Sequence, residues 1–288
     1  MPEGHTIHRA ARDQRPMLVG QALAVSSPQG RFADGAALLD GHTCTGIDAY
    51  GKHLLYRFAG PGDLHVHLGL FGKFRTTKLP AAEPRGAVRI RMVGATYVVD
   101  INGPHRCEVL DLAGVAALLA RIGPDVLRDD ADRELAWAKI SRSRTSIGQL
   151  LMDQSVMAGI GNIYRSEILW RQRIDPATPG RDVPREAFDR IWIDGAALLR
   201  IGVARNSIVT VDNAAARSRY RERVNIFNKP ACPACATAIV RSEVAGRRLF
   251  ACPACQVRGA PAPAVPATLP QAGSARRRGS GRPAPPHR

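Results

Sequence analysis

The chain has 288 residues, enough for two ordinary domains with a buried core, which excludes a small disulfide scaffold. Its 41 Lys and Arg outnumber 25 Asp and Glu, and the formal net charge of +16 favours an acidic partner, nucleic acid first. No apolar run approaches the roughly 18 residues that span a bilayer, and no basic leader precedes an apolar core, so the expectation is a soluble cytoplasmic protein with no membrane partner.

Ile7, Ala10, Ala11 and Gln14 follow helical spacing after Gly4, and Pro16 stops the run, which predicts a short amphipathic helix at the chain start. From Gln21 to about Val109, segments rich in Val, Ile, Leu and Tyr alternate with Gly-rich breaks: Ala22 to Val25, Leu54 to Phe58, Leu64 to Leu68, Val88 to Val93 and Tyr97 to Ile101. That pattern predicts an antiparallel β-sandwich or barrel. After Leu112 the spacing turns helical, at Val115 to Ile122, Leu135 to Ile140, Ile147 to Met157, Ile163 to Gln172 and Phe188 to Val203. Trp137, Trp170 and Trp192 fall inside these stretches and read as core. The basic stretch Arg205 to Arg223 reads equally as a lid over a bound group or as a mobile linker. The class is therefore α+β in four sections: a β domain over 1–112, a helical domain over 113–224, a cysteine finger over 225–257 and a Pro-, Ala- and Arg-rich tail over 258–288. The tail has too little apolar material to order a core and is predicted to be disordered.

Cys232-x2-Cys235, 16 residues and then Cys252-x2-Cys255 is the strongest chemical signal. Each pair closes a tight knuckle, and the spacer suits a β-hairpin, so four thiolates are predicted to hold one structural Zn2+. Four ligands leave no open position for water, which assigns the metal to folding rather than catalysis. Gly159 and Gly161 precede a predicted helix, and the backbone there reads either as a phosphate seat or as a tight interhelical turn. Removal of Met1 exposes Pro2, a secondary amine that condenses with an aldehyde-like carbon to give a cationic iminium, and Glu3 beside it supplies an acid or base. Cys44 and Cys107 read as free buried thiols. His65 and His67 share a strand face, but no carboxylate or third histidine lies nearby in sequence, so no second metal site is expected.

Pro2-Glu3-Gly4, Gly51-Lys52-His53-Leu54-Leu55, Gly123-Pro124-Asp125, Gly159-Ile160-Gly161-Asn162-Ile163-Tyr164 and the four-cysteine finger occur in this order over residues 1 to 257. Together they resemble the formamidopyrimidine-DNA glycosylase/endonuclease VIII family, and Gly4 in place of leucine makes the chain more similar to the endonuclease VIII branch. The resemblance implies a helix-two-turn-helix within the helical domain. It also implies a monomeric bifunctional glycosylase and abasic-site lyase acting on oxidised bases, pyrimidines first, in damaged DNA, with no nucleotide cofactor and with a nucleoid association if the source is bacterial. A noncatalytic damaged-DNA-binding paralogue is the alternative.

By that resemblance Pro2 matches the nucleophile at C1′ and Glu3 the proton donor. Lys52, Asn162 and Arg247, five residues before Cys252, match the groups that clamp the backbone while the base leaves the duplex. Leu70 and Phe71 match side chains that enter the vacated stack, although core packing also accounts for them. His5-Thr6 departs from the family pattern, which often has an acid at position 6. The tail also departs from it, and its six arginines are expected to strengthen nonspecific DNA association.

Overall fold

A computed structural model describes residues 2–215 and 218–257; Met1 and the predicted disordered tail lie outside the described residues. Helix α1 (Gly4–Leu18) opens the chain. Pro16 lies inside it rather than before its end, because a proline in the last turn forfeits only one hydrogen bond and Val19 N still reaches Arg15 O at 3.1 Å.

Two four-stranded antiparallel sheets follow. The strands are β1 (Ala24–Ser26), β2 (Cys44–Tyr50), β3 (His53–Phe58), β4 (Gly62–His67), β5 (Lys73–Lys78), β6 (Val88–Val93), β7 (Tyr97–Asn102) and β8 (Arg106–Leu110), with α2 (Ala33–Leu39) inserted after β1. One sheet runs β1-β6-β7-β5 and the other β2-β3-β4-β8. Val88, Ile90 and Met92 are buried in alternation as period-two spacing requires, and Ile90 and Met92 join Leu54, Tyr56, Leu64 and Val66 of the other sheet in one core. Strand β5 shows no such signal. Lys-Phe-Arg-Thr-Thr-Lys is nearly all exposed, and only its ladder with β7 makes it a strand.

The helical lobe comprises α3 (Leu112–Ala120), α4 (Arg133–Ile140), α5 (Ile147–Leu150), α6 (Asn162–Arg171) and α7 (Arg185–Arg205). The helix expected over Ile147 to Met157 stops after one turn. Asp153 Oδ1 accepts from both the backbone N–H and the hydroxyl of Ser155, at 2.8 and 2.7 Å, and this local bonding competes with the helix. Ile140, Ile147, Met157, Ile168, Phe188 and Leu199 form a second core. Trp137 and Trp192 pack against that core half-buried, whereas Trp170 Nε1 donates to Cys232 Sγ at 3.3 Å and couples α6 to the finger. The buried Glu167 carboxylate accepts from the Thr210 hydroxyl and from the N–H groups of Asn225, Ile226 and Phe227, which holds the segment before the finger against α6. The finger itself is the hairpin β9 (Val240–Val244) and β10 (Arg247–Ala251).

Helix α1 joins the lobes, lying on β2 and against α7, with Arg9 capping the C-terminal end of α7 through Val203 O and Ala204 O. The first residues of the chain therefore sit in the cleft between the β lobe and the helical lobe.

Candidate active site

Glu3 precedes α1 and is 1% exposed. Its Oε2 accepts from Gly161 N at 3.1 Å and its Oε1 from Ile163 N at 3.0 Å, at the start of α6. The glycine turn read as a possible phosphate seat is thus filled by the protein's own carboxylate, drawn there by free helix N–H groups and the positive end of the helix. Two glycines make this contact possible. A Cβ on Gly161 would lie 2.4 Å from Glu3 Cδ, and one on Gly4 would lie 2.7 Å from Gly159 Cα. Gly4 N also donates to Gly159 O at 2.9 Å, which pins the chain start to the same turn.

Opposing effects act on the Glu3 carboxyl, and burial wins: its pKa is raised, although Lys52 and the backbone N–H groups pull it down. Lys52 stands in the tight turn between β2 and β3, where Gly51 adopts φ +58° and its N–H donates to Asp125 Oδ2 at 2.6 Å. Burial lowers the Lys52 pKa, Glu3 pulls it back up, and the nearby Arg247 and Arg165 lower it further. A carboxyl group and three cations from four elements thereby converge beside Pro2.

Asn162 opens α6 with its amide already engaged. Its Nδ2 donates to Arg248 O of the finger at 2.9 Å, and its Oδ1 accepts from the Arg165 guanidinium. Arg247 starts β10 half-buried and faces Lys52 and Arg165 electrostatically. Leu70 and Phe71 stand in the loop between β4 and β5, 42% and 88% exposed, so core packing does not account for them. With Pro2, Thr6, Gln14 and Phe74 they line a cavity of about 550 Å³. A second cavity of about 600 Å³ lies away from Pro2 beside α1, and its Arg15, Arg128 and Arg200 are each paired with an aspartate.

The departure at positions 5 and 6 has a clear geometry. His5 is buried edge-on to Tyr164, with ring centroids 5.5 Å apart, and burial lowers its pKa to about 4. Thr6 lines the Pro2 cavity, with its hydroxyl 3.3 Å from His5 Nε2. Cys44 is fully buried and Cys107 half-buried; both are free, and burial pushes their thiols up to about 11 and 12.

Three residues at the site carried no signal strong enough to single them out from sequence. Arg165 is fully buried and donates to Gly148 O at 3.0 Å as well as to Asn162; its place three residues after Asn162 in a helix of mixed composition was its only trace. Asp125 belongs to a quoted motif, but its grip on Gly51 N and His8 Nε2, at 2.6 and 2.7 Å, depends on the lobes meeting. Tyr220, in the basic stretch, feels the charge of Glu3.

The four finger cysteines bring their Sγ atoms within 4.8 Å of one another, with Cys235 Sγ 3.5 Å from Cys252 Sγ and 3.4 Å from Cys255 Sγ. A compact four-sulfur set of this kind fits a tetrahedral metal ion. Among the described residues it is the only group of three or more His, Cys, Asp or Glu side chains arranged to hold one.

Residues 1–106 match the formamidopyrimidine-DNA glycosylase N-terminal domain, and residues 122–213 match the formamidopyrimidine-DNA glycosylase H2TH domain. Endonuclease 8 1 of Mycobacterium tuberculosis is 44% identical over 267 residues, covering 89% of this chain and 100% of the relative. The formamidopyrimidine-DNA glycosylase of Thermomicrobium roseum is 28% identical, over 89% and 99% of the two chains. The Lactococcus lactis Fpg, solved in complex with DNA containing an abasic site, shares the fold with a TM-score of 0.75 at 23% identity, over 89% of this chain and 100% of that one. With its site geometry, both domain matches and a near full-length relative in agreement, the chain belongs to the formamidopyrimidine-DNA glycosylase/endonuclease VIII family.

Proposed function

We propose that the protein is a DNA glycosylase of base excision repair with a second, abasic-site lyase activity, acting on oxidised bases and on pyrimidines first. The observation that carries this reading is the Glu3 carboxyl, buried beside Pro2 and held by α6, with its pKa raised toward the range where an acid still holds a proton. After removal of Met1, the Pro2 nitrogen attacks C1′ of the damaged nucleotide and the base departs. Glu3 delivers a proton to the opening sugar ring, leaving a cationic iminium between Pro2 and C1′. Loss of a C2′ proton then expels the 3′ phosphate, and a second elimination expels the 5′ phosphate.

Lys52, Asn162 and Arg247 hold the backbone around the lesion, and Arg165 orients Asn162. Leu70 and Phe71 fill the space left by the extruded base. Cys232, Cys235, Cys252 and Cys255 hold one Zn2+, which supplies a structural crosslink that keeps β10 and Arg247 in position. The protein works as a monomer on damaged DNA, in the cytoplasm and without a nucleotide cofactor.

Borohydride trapping on a duplex with an abasic site or an oxidised pyrimidine tests this reading. A covalent adduct formed by the native-ended protein, and not by one with a blocking extension before Pro2, is the expected result. Tight duplex binding without an adduct from either form would replace it with a noncatalytic DNA-binding role.

A further inference from the structure

Thr6 stands where the family pattern often has an acid, in the first turn of α1, and its side chain lines the cavity that Pro2 also lines. The other polar side chains that α1 presents to that cavity are committed elsewhere. Arg9 donates to Val203 O and Ala204 O and pairs with Asp13 at 3.0 Å, and Gln14 Oε1 accepts from the Tyr56 hydroxyl at 2.5 Å. Both Glu3 oxygens accept from the start of α6. The Thr6 hydroxyl has one partner among the described residues, His5 Nε2 at 3.3 Å.

The buried ring of His5 sets the direction of that bond. Its Nδ1 has no hydrogen-bond partner among the described residues, and a buried acceptor left unpaired is better tolerated than a buried N–H left unpaired, so the ring proton resides on Nε2. Burial lowers the pKa to about 4, and the ring stays uncharged near neutral pH. The ring is held between α6 and α7, edge-on to Tyr164, where a Cβ on Gly202 would lie 2.8 Å from His5 Cγ. His5 Nε2–H therefore donates to Thr6 Oγ1, and the Thr6 O–H is free to donate into the cavity that Thr6 lines. A carboxylate at position 6 would bring a negative charge and only accept; Thr6 brings a neutral donor.

We propose that Thr6 is a catalytic residue whose hydroxyl hydrogen-bonds the departing base, with His5 as its positioning residue, and that the pair selects bases with a carbonyl beside the glycosidic nitrogen. As the Pro2 lone pair forms its bond to C1′, the electron pair of the bond from C1′ to the base leaves with the base. In a pyrimidine the charge spreads from N1 to the neighbouring O2 carbonyl oxygen, where the Thr6 O–H meets it, and no proton leaves Thr6. The proton shed by the Pro2 nitrogen neutralises the base, and Glu3 keeps its own for the sugar ring. A donor already in place where charge develops needs no reorganisation at the moment of reaction. A formamidopyrimidine is joined through an exocyclic amine to a ring carbon that bears no carbonyl, so it offers Thr6 no such acceptor. The inference rests on the glycosylase reading above and assigns its substrate class.

Single-turnover kinetics of the full-length protein on duplexes carrying thymine glycol, a formamidopyrimidine or a preformed abasic site test it. The unmutated protein is expected to release thymine glycol faster than the formamidopyrimidine. Thr6→Val, close in shape but without the hydroxyl, slows thymine glycol release about 10²- to 10³-fold, while duplex affinity and cleavage at the abasic site, from which no base departs, stay within about threefold. Thr6→Ser restores the rate, and His5→Phe gives a weaker loss, about tenfold, with the same selectivity. Equal losses on thymine glycol and on the abasic site, an unimpaired Thr6→Val or His5→Phe, or no rescue by Thr6→Ser would each overturn the pair and leave the glycosylase reading standing. Faster release of the formamidopyrimidine by the unmutated protein would overturn the substrate class. Release of neither base would overturn the glycosylase reading and this inference with it.

Discussion

Glu3 Oε1 accepts a hydrogen bond from Ile163 N at 3.0 Å, so the third residue of the chain caps a helix that begins some 160 residues later. The bond ties the proposed nucleophile, one residue earlier, to the element that carries Asn162 and Arg165. The proposed chemistry and the proposed DNA grip thereby share one contact.

Replacing Glu3 with Gln removes the proposed proton donor and is expected to slow base removal about 10²- to 10⁴-fold. In the unmutated protein, single-turnover base removal falls as pH rises through the raised Glu3 pKa, because the acid must be protonated, and Glu3→Gln loses that limb. Stability carries the same sign. A carboxyl whose pKa is raised on folding contributes stability below its unfolded pKa and loses it as pH rises through the folded value. The melting-temperature difference between the unmutated protein and Glu3→Gln should therefore move against the unmutated protein as pH rises from the ordinary carboxylate range through the raised folded value; a pH-independent difference would contradict the assignment.

Gly161→Ala introduces a Cβ that would sit 2.4 Å from Glu3 Cδ, and the carboxyl must move to admit it. Misplacement on that scale is expected to cost about 10²-fold in base removal, while overpacking lowers stability by about 1–3 kcal/mol. Rapid-quench kinetics alongside thermal melts separate the two, since the kinetic loss persists well below the melting temperature.

Phe71 is 88% exposed, and its truncation to Ala should change stability by less than about 0.5 kcal/mol. If the ring fills the space of an extruded base, worth about 1–3 kcal/mol, base removal falls roughly ten- to hundredfold. Cleavage at a preformed abasic site should fall less, because less stacking has to be replaced. Equal losses on both substrates would argue against this role.

Chelation that strips the finger metal is expected to expose four thiols to a thiol reagent and to weaken duplex binding by about tenfold or more, as β10 loses its anchor for Arg247. Trp170, bonded to Cys232 Sγ, supplies a fluorescence report of the same event. The β lobe has its own core, and its melting should be unchanged.

How much of this was legible in the sequence depended on whether the governing interactions are local. The two Cys-x2-Cys pairs announced their cluster because each knuckle is closed by neighbouring residues, and Val88, Ile90 and Met92 announced a strand because alternate burial imposes a period of two. The glycines at 4, 51 and 161 were visible as motif letters. Their physical reasons, a close approach of two chain segments at Gly4 and Gly161 and a positive φ at Gly51, were not. Strand β5 was missed because pairing with β7, rather than its own composition, makes it extended, and the helix read over 147–157 ended early because Asp153 captured Ser155 locally.

The sequence by itself determined the α+β class, the metal-binding finger and the residue types at the reacting end, since spacing and chemistry reside in the chain. Only the tertiary structure decided that Glu3 fills the helix N-terminus read as a phosphate seat, that burial outweighs Lys52 in setting its pKa, and that His53, His65 and Glu108 meet across three strands. Desolvation and strand register arise when remote segments meet, and neither is encoded in the spacing of neighbouring residues.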